Sequence, residues 1–339
     1  MQLMPYMKAA SPFGTLMVCA GLIAAAAATS TQAAIPASEH DVLVNLYTST
    51  NGSGWLVKNG WSSAGNDECT LPWTGITCDV NGTHVTEINL VYNHLGGPLP
   101  DLSALTALQN FSVSANSLTG SIPPLGALIA LQFFAVDFND LTGPIPNLSG
   151  MTNLIGFYVH KNQLTGSIPM LTALPNLRVL YVNDNALTGS IPALTGLPAL
   201  NTIELGGNQL TGSIPTLAGM THLSIFEAAF NQLSGPIPSL SNLPILQNLR
   251  LDHNQLSGPI PSLSELTWLA SIRVENNRLI GPAPISPNPS TSQLVAGDSG
   301  LCPNPLDPTP SSTWDLATGI NPWYSACDPV FRNGFEPAP

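Results

Sequence analysis

The sequence predicts an α/β solenoid, a superhelix of about nine 23-residue coils with a parallel β-sheet on its concave side and disulfide-bonded caps at both ends. Apolar residues lie eight, five and three positions before a recurring asparagine, and a leucine lies two positions after it. The last two apolar positions alternate with other residues, as in a short strand. A fixed period of this kind is typical of stacked repeats that bury a shared core. The asparagine recurs without a departure at Asn93, Asn116, Asn139, Asn162, Asn185, Asn208, Asn231, Asn254 and Asn277.

These asparagines have a structural role that follows from the chemistry of the amide. Where the chain turns away from a strand, backbone groups point inward and meet no neighbour in their own coil. An asparagine side chain both donates and accepts hydrogen bonds, so it can satisfy such groups. Each group left unpaired would cost about 1–3 kcal/mol. We therefore assign the nine asparagines to a structural ladder and not to a binding site.

The segment after each leucine is rich in glycine and proline, as in Gly-Pro-Ile-Pro at 143–146. Glycine permits a tight reversal of the chain. Proline removes a backbone donor and stiffens an extended stretch. We expect extended pieces or short 3₁₀ turns on the convex side, and no long helices there.

The whole phrase LxxLxLxxNxLTGxIP, which reads NQLTGSIP at 162–169 and 208–215, resembles the plant-type leucine-rich repeat. That repeat is found in receptor-kinase ectodomains and in polygalacturonase-inhibiting proteins. The resemblance covers about residues 38–285, with a period one residue shorter than is common in that class. It implies a leucine-rich-repeat superhelix that binds protein or peptide ligands.

Composition divides the chain into four segments. Residues 1–34 are predicted to be a secretory signal, because Lys8 precedes an apolar run that is short for a membrane span. An N-terminal cap follows at 35–84, the repeats at 85–285, and a Pro/Ser-rich linker with a C-terminal cap and tail at 286–339. We therefore predict a secreted protein without a transmembrane anchor, and leave association with a cell surface open.

Four cysteines remain after the predicted signal: Cys69, Cys78, Cys302 and Cys327. An even number in an exported chain implies disulfides. Three pairings are possible, and position favours Cys69–Cys78 and Cys302–Cys327 because the two ends of a solenoid lie far apart. The wide spacings join no histidine pattern, so zinc is disfavoured. We predict no metal and no cofactor.

Both ends carry further signals. Ser38 and Asp41 are arranged like a capping box that opens a short helix. Trp73-Thr74-Gly75-Ile76, between the first two cysteines, resembles the N-terminal cap of plant-type repeat proteins, in which the tryptophan covers the open end of the core. The segment DPVFRNGFE at 328–336 resembles a short tail of exported gammaproteobacterial proteins. That tail is either a sorting signal or a piece ordered against the cap.

The concave face is predicted from the strand period, because residues between the apolar positions point outward. Small residues dominate its start, an aromatic group follows, and carboxylates and arginines complete it. Tyrosine is a favoured contact residue, since its ring is apolar and its tip is polar. The predicted ligand-binding residues are Phe133, Asp137, Tyr158, His160, Val179, Tyr181, Glu204 and Glu227.

These observations predict a secreted, monomeric, non-enzymatic recognition protein that binds an extracellular protein or carbohydrate. The net charge of −12 disfavours nucleic acid and anionic membranes as partners. One alternative is a structural surface protein, an adhesin or an ice-binding protein with a regular threonine array. A remote alternative is a glycosidase that uses Glu204 and Glu227, which adjacent strands would bring to about 5 Å. Against it, we expect Glu227 to join Arg250 in a self-paired charge network.

Overall fold

The computed structural model describes residues 34–61, 68–69, 73–284 and 293–327. The predicted secretory signal and the gammaproteobacterial-like tail fall on residues 1–33 and 328–339, outside the described residues, and they stay predictions. Part of the predicted linker, 285–292, also lies outside them.

The secondary structure of the described residues consists of two α-helices, two 3₁₀ turns and short strands. The helices are α1 (Ala37–Ser49) and α2 (Ser312–Thr318), and the 3₁₀ turns are Gly52–Gly54 and Trp323–Ala326. The strands are β1 (Ile76–Cys78), β2 (Val85–Asn89), β3 (Gly96–Pro98), β4 (Asn110–Ser112), β5 (Ser117–Thr119), β6 (Phe133–Ala135), β7 (Thr142–Pro144), β8 (Gly156–Tyr158), β9 (Gln163–Thr165), β10 (Val179–Tyr181), β11 (Thr202–Glu204), β12 (Ile225–Glu227), β13 (Ser234–Gly235), β14 (Asn248–Arg250), β15 (Gln255–Gly258), β16 (Ser271–Arg273), β17 (Arg278–Leu279), β18 (Gly281–Pro282) and β19 (Leu306–Asp307).

A ten-stranded sheet forms the concave side of the solenoid, in the order β1-β2-β4-β6-β8-β10-β11-β12-β14-β16. Strand β1, from the N-terminal cap, pairs antiparallel with β2, and every later pair is parallel. The register advances by one repeat per strand, so that Tyr181 faces Glu204 and Glu204 faces Glu227. The predicted parallel sheet and its repeat are thus confirmed.

The convex side is extended, as the glycine and proline pattern predicts. Short parallel strands pair there as β3-β5, β7-β9 and β13-β15-β17. The described residues of the repeats, 85–284, contain no helix. Each reversal uses a glycine in the left-handed region, such as Gly166 with φ 75°. A side chain would be strained there, which explains why glycine recurs at this step.

The core is a continuous apolar column between the two sides. Leucines of successive repeats are almost fully buried, and burial contributes about 1.5–3 kcal/mol for each such side chain. Phe111, Phe134 and Phe157 stack within it, with ring centroids 5.5 Å apart at each step. One repeat alone could not bury these side chains, so stability depends on neighbours.

The asparagine ladder has the predicted role. Asn162 Oδ1 accepts a hydrogen bond from the Leu141 backbone N–H at 2.9 Å. Its Nδ2 donates to the carbonyl of Val136 in the preceding repeat and to that of Val159 in its own repeat. The ladder therefore ties each coil to the one before it.

Ladder hydrogen bonds also connect the repeats to both caps. The sequence did not predict these connections. Asn93 exchanges hydrogen bonds with the backbone of Val57 in the N-terminal cap. Asn304 continues the ladder into the C-terminal cap, where it accepts from the Leu279 N–H and donates to the Val274 carbonyl. Asn304 falls 27 residues after Asn277 and so lies outside the period of 23.

The caps contain the two favoured disulfides, Cys69–Cys78 and Cys302–Cys327. Trp73 is buried at the N-terminal end, as predicted, and packs against Trp61 with ring centroids 5.0 Å apart. Trp314 closes the other end and donates its indole N–H to the Pro284 carbonyl.

The predicted capping box is wrong. Helix α1 begins at Ala37 with Pro36 at the N-cap position, and no side chain caps it. Ser38 and Asp41 lie inside the helix, and Ser38 is two residues past the N-cap position that the capping box would need. Proline has a fixed φ that suits a helix start, and it sets the boundary here.

Replacing one ladder residue is expected to destabilise the whole solenoid. Asn162→Ala leaves the Leu141 N–H without its acceptor, so the free energy of unfolding falls by about 1–3 kcal/mol. Chemical denaturation followed by circular dichroism measures the change. The exposed neighbour Gln163→Ala is the control and should change stability by less than about 0.5 kcal/mol. Equal effects of both variants would contradict the structural role of the ladder.

Candidate ligand-binding face

The strand geometry decides which side chains the concave face presents. In β10, Leu180 points into the core, while Val179 and Tyr181 on either side of it are partly exposed. In every strand from β4 to β16 of this sheet the middle residue is buried and the last residue is partly exposed, although the first residue is buried in β8, β11 and β16. The ladder holds these strands in one register. Positions two, four and six before each ladder asparagine therefore form columns across the sheet.

Aromatic rings gather near the middle of this face, and we call Phe133, Phe138, Tyr158, His160 and Tyr181 the aromatic patch. Tyr158 and Tyr181 meet edge to face with centroids 5.4 Å apart. His160 contacts Tyr181 at 5.6 Å and Phe138 at 5.1 Å, again edge to face. Neither tyrosine is buried. The rings support one another and still leave surface for a ligand.

Phe138 was not predicted, and the reason lies in the backbone. It stands directly before a ladder asparagine, where the chain has left the strand and φ is 52°. Phe230 occupies the equivalent position four repeats later, with φ 54°. Both rings are about half exposed. The same left-handed φ recurs directly before other ladder asparagines, as at Lys161 and His253, so the turn of the repeat sets this conformation.

His160 and Asp137 lie together beside the tyrosines, as their columns predict. The atoms His160 Nε2 and Asp137 Oδ2 are 3.8 Å apart, and Ser114 Oγ donates to Asp137 at 2.5 Å. Burial lowers the pKa of the His160 imidazole, although the Asp137 carboxylate acts in the opposite direction. Burial thus favours the neutral form of the ring.

Glu204 and Glu227 face each other on β11 and β12. Burial, together with the neighbouring Glu204 carboxylate, raises the pKa of Tyr181 to about 12. Burial, reinforced by repulsion from Glu227, raises the pKa of the Glu204 carboxyl above its ordinary value. The structure thus keeps two carboxylates together at an electrostatic cost.

The expected pairing of this acidic couple with an arginine is wrong. Arg250 lies beside Glu227 in the sheet register, yet its Nε donates to Asp252 at 3.0 Å. Arg273 turns away as well, toward Glu275 at 3.8 Å and Asp298 at 3.2 Å. Among the residues that the structure describes, neither Glu204 nor Glu227 has a cationic partner within 4 Å. Both carboxylates remain available to a ligand.

A depression of about 270 Å³ adjoins this couple. Two consecutive glycines, Gly206 and Gly207, contribute to its lining, and we call it the glycine notch. The lining residues are Asn183, Asp184, Glu204, Gly206, Gly207, Glu227, Ala229, Phe230 and Arg250. In the described part of the chain, no three histidine, cysteine, aspartate or glutamate side chains are grouped so that they could hold a metal ion.

The structure contains the residues on which the ice-binding and glycosidase alternatives depend. On the convex side Thr142, Thr188 and Thr211 are exposed, and their hydroxyls donate to the carbonyl of a glycine in the preceding repeat at 3.3–3.4 Å. An ice-binding role for this array stays a prediction, which a thermal-hysteresis measurement would test. A glycosidase role for Glu204 and Glu227 also stays a prediction. A hydrolysis screen with Glu227→Gln as control would test it.

Two segments of the repeat region match family models of known proteins. Residues 175–219 match a family model described as Leucine Rich repeats (2 copies), and residues 246–266 match one described as Leucine Rich Repeat. The ectodomain of the Arabidopsis thaliana receptor kinase GASSHO1/SCHENGEN3 superposes with a TM-score of 0.74 at 31% identity, over 83% of this chain and 34% of that chain. The fold is a leucine-rich-repeat solenoid.

Other leucine-rich-repeat proteins are similar over shorter stretches. The plant peptide hormone receptor RGFR1 matches at 33% identity and a TM-score of 0.57, over 58% of this chain and 33% of that chain. The Arabidopsis thaliana receptor-like protein kinase PXC1 is 35% identical over 74 residues, 22% of this chain and 10% of that protein. The chain thus spans about a third of the solved GASSHO1/SCHENGEN3 and RGFR1 chains and a tenth of PXC1. A plant ice-binding protein, at 24% identity and a TM-score of 0.56, shares the fold alone.

Removing the strained carboxylate is expected to stabilise the protein. Because the pKa of Glu204 is higher in the folded state than in the unfolded chain, the folded state binds more protons between the two values. Stability therefore falls as pH rises through that window, and the penalty is fully present at pH 7. Glu204→Gln should raise the melting temperature at pH 7, and the difference should vanish below the ordinary pKa of 4.5.

Thermal melts between pH 3 and pH 8 check this expectation, with the exposed Glu265→Gln as control. The control should melt like the wild type throughout. A Glu204→Gln variant that is less stable at pH 7 would show that the carboxylate stabilises the fold and that its position has a structural reason.

Proposed function

We propose that this protein is an extracellular recognition protein whose concave face binds an extended peptide or an exposed segment of a protein partner. The observation that carries the proposal is the aromatic patch on the open sheet. Tyr158 and Tyr181 are partly exposed, held by ring contacts and placed near the centre of the face. Rigid aromatic side chains at the centre of a surface are the usual energetic anchors of an interface.

The dimensions of the face favour an extended chain as the occupant. Nine parallel strands about 4.8 Å apart give a surface roughly 40 Å long. An extended peptide of about 12 residues has the same length, at about 3.3 Å per residue. A peptide that crosses the strands can contact the aromatic patch and the glycine notch at once. We therefore favour a peptide or protein segment over a carbohydrate polymer.

The relatives support a binding role of this kind. GASSHO1/SCHENGEN3 is solved in complex with CASPARIAN STRIP INTEGRITY FACTOR 2, and RGFR1 in complex with RGF2. Both are more than 30% identical to this chain. The two disulfides support an oxidising, extracellular compartment, in agreement with the predicted secretory signal.

Loss of the two tyrosine rings is expected to abolish peptide capture. A library of random 12-residue peptides displayed on phage is selected on the wild-type protein, and the enriched peptides are synthesised and titrated. Tyr158→Ala/Tyr181→Ala should weaken their binding at least about 100-fold, since each anchor ring contributes about 1.4 kcal/mol or more.

The matched control is Trp268→Ala, which removes an exposed aromatic side chain outside the concave columns. It should bind the same peptides as the wild type, within about twofold. If the double variant retains wild-type affinity while Trp268→Ala loses it, the binding site lies elsewhere and the proposal fails.

A further inference from the structure

The glycine notch exists because the sixth repeat lacks side chains where its neighbours have them. Gly206 and Gly207 stand two positions and one position before the ladder residue Asn208. A Cβ atom on Gly207 would lie 2.6 Å from Asp184 Oδ1, and one on Gly206 would lie 3.2 Å from the Ala229 carbonyl oxygen. The backbone of the two glycines is therefore closely packed by its neighbours, and glycine at both positions leaves the adjoining depression of about 270 Å³ free of side chains from these two positions.

The walls of the notch carry an excess of negative charge. Asp184, Glu204 and Glu227 supply three carboxylates, against one guanidinium from Arg250. That guanidinium is held by Asp252, which lies outside the notch. No arginine or lysine among the described residues approaches the two glutamates within 4 Å. The surface is thus complementary to a cation.

The notch also has an unused acceptor and an apolar wall. Asn183 donates its amide N–H to Asp184 at 3.0 Å, while its Oδ1 is buried and accepts no hydrogen bond among the described residues. Phe230 also lines the notch, with its ring stacked on His253 at 4.2 Å and the Arg250 guanidinium 5.9 Å from the ring centroid. A lysine or arginine side chain matches this combination of surfaces. Its methylene stem packs on apolar surface, and its charged end donates several hydrogen bonds.

We propose that the glycine notch receives an arginine or lysine side chain of the peptide that the aromatic patch binds. The inference rests on the proposed function, and it adds the chemical class of one ligand residue. Tyr181 joins the two places, because its ring belongs to the patch and the residue lies beside Glu204 of the notch in the sheet register. The two glycines of the notch follow β11, which lies one strand from Tyr181 and two strands, or roughly 10 Å, from Tyr158, and the longer distance equals about three residues of extended peptide.

The test uses the peptides selected from the random library and their neutral analogues. Each arginine is replaced by citrulline and each lysine by acetyl-lysine, which removes the charge and keeps the length. Selected peptides should contain a basic residue about three positions from an aromatic or aliphatic residue. Neutralising it should weaken binding to the wild type at least tenfold, and to Glu204→Gln/Glu227→Gln less than twofold.

A double control separates the notch from the overall charge of the protein. Glu265→Gln/Asp307→Asn removes two exposed carboxylates outside the concave face and changes the net charge by the same amount. It should keep the tenfold discrimination of the wild type. Equal binding of charged and neutral peptides to the wild type, or equal discrimination by all variants, would overturn the inference.

The two proposals fail in different ways. If selected peptides bind the wild type without regard to charge but lose affinity with Tyr158→Ala/Tyr181→Ala, the notch inference is wrong and the proposed function stands. If the selection yields no peptide that binds the wild type, both are overturned. Thermal melts of every variant ensure that lost binding is not lost folding.

Discussion

The amide ladder is the constraint on which the rest of the structure depends. From Asn116 to Asn277, each ladder asparagine bonds the backbone of its own repeat and of the repeat before it, so one residue fixes both the turn and the stacking distance. Leucines from every coil then meet in one core. The register that results is uniform from β2 to β16, and it aligns equivalent positions into columns. Without that alignment, side chains 23 residues apart would not form a common surface.

The ladder does not constrain the side chains in the concave columns. The differences between those side chains from repeat to repeat determine what the concave face can bind. One feature there opposes stability. Glu204 lies against Glu227 with its pKa raised by burial. Like-charge contact of this kind is typical of sites held for a ligand, because the scaffold supplies the stability that the site gives up. The repeat core is regular enough to supply it.

The sequence predicted the structural features that follow from the 23-residue period and from the positions of the cysteines. The nine asparagines, the parallel sheet and both disulfides could be derived because each depends on spacing along the chain. Asn304 could not, since its cap segment breaks the period although the side chain makes the same bonds. Phe138 was missed because strand alternation ends before it. The pairing of Arg250 was mistaken because register shows which residues are neighbours, while side-chain direction decides that Asp252 and not Glu227 receives the guanidinium.

The most direct measurement is hydrogen exchange of the wild-type protein with and without a selected 12-residue peptide. The account predicts that the peptide slows exchange in β8, β10, β11 and β12 and in the residues that follow each of them. The convex strands β5, β7 and β9 should exchange at unchanged rates. Protection confined to the convex side or to the caps would contradict the claim that the stacked repeats present the concave face for recognition.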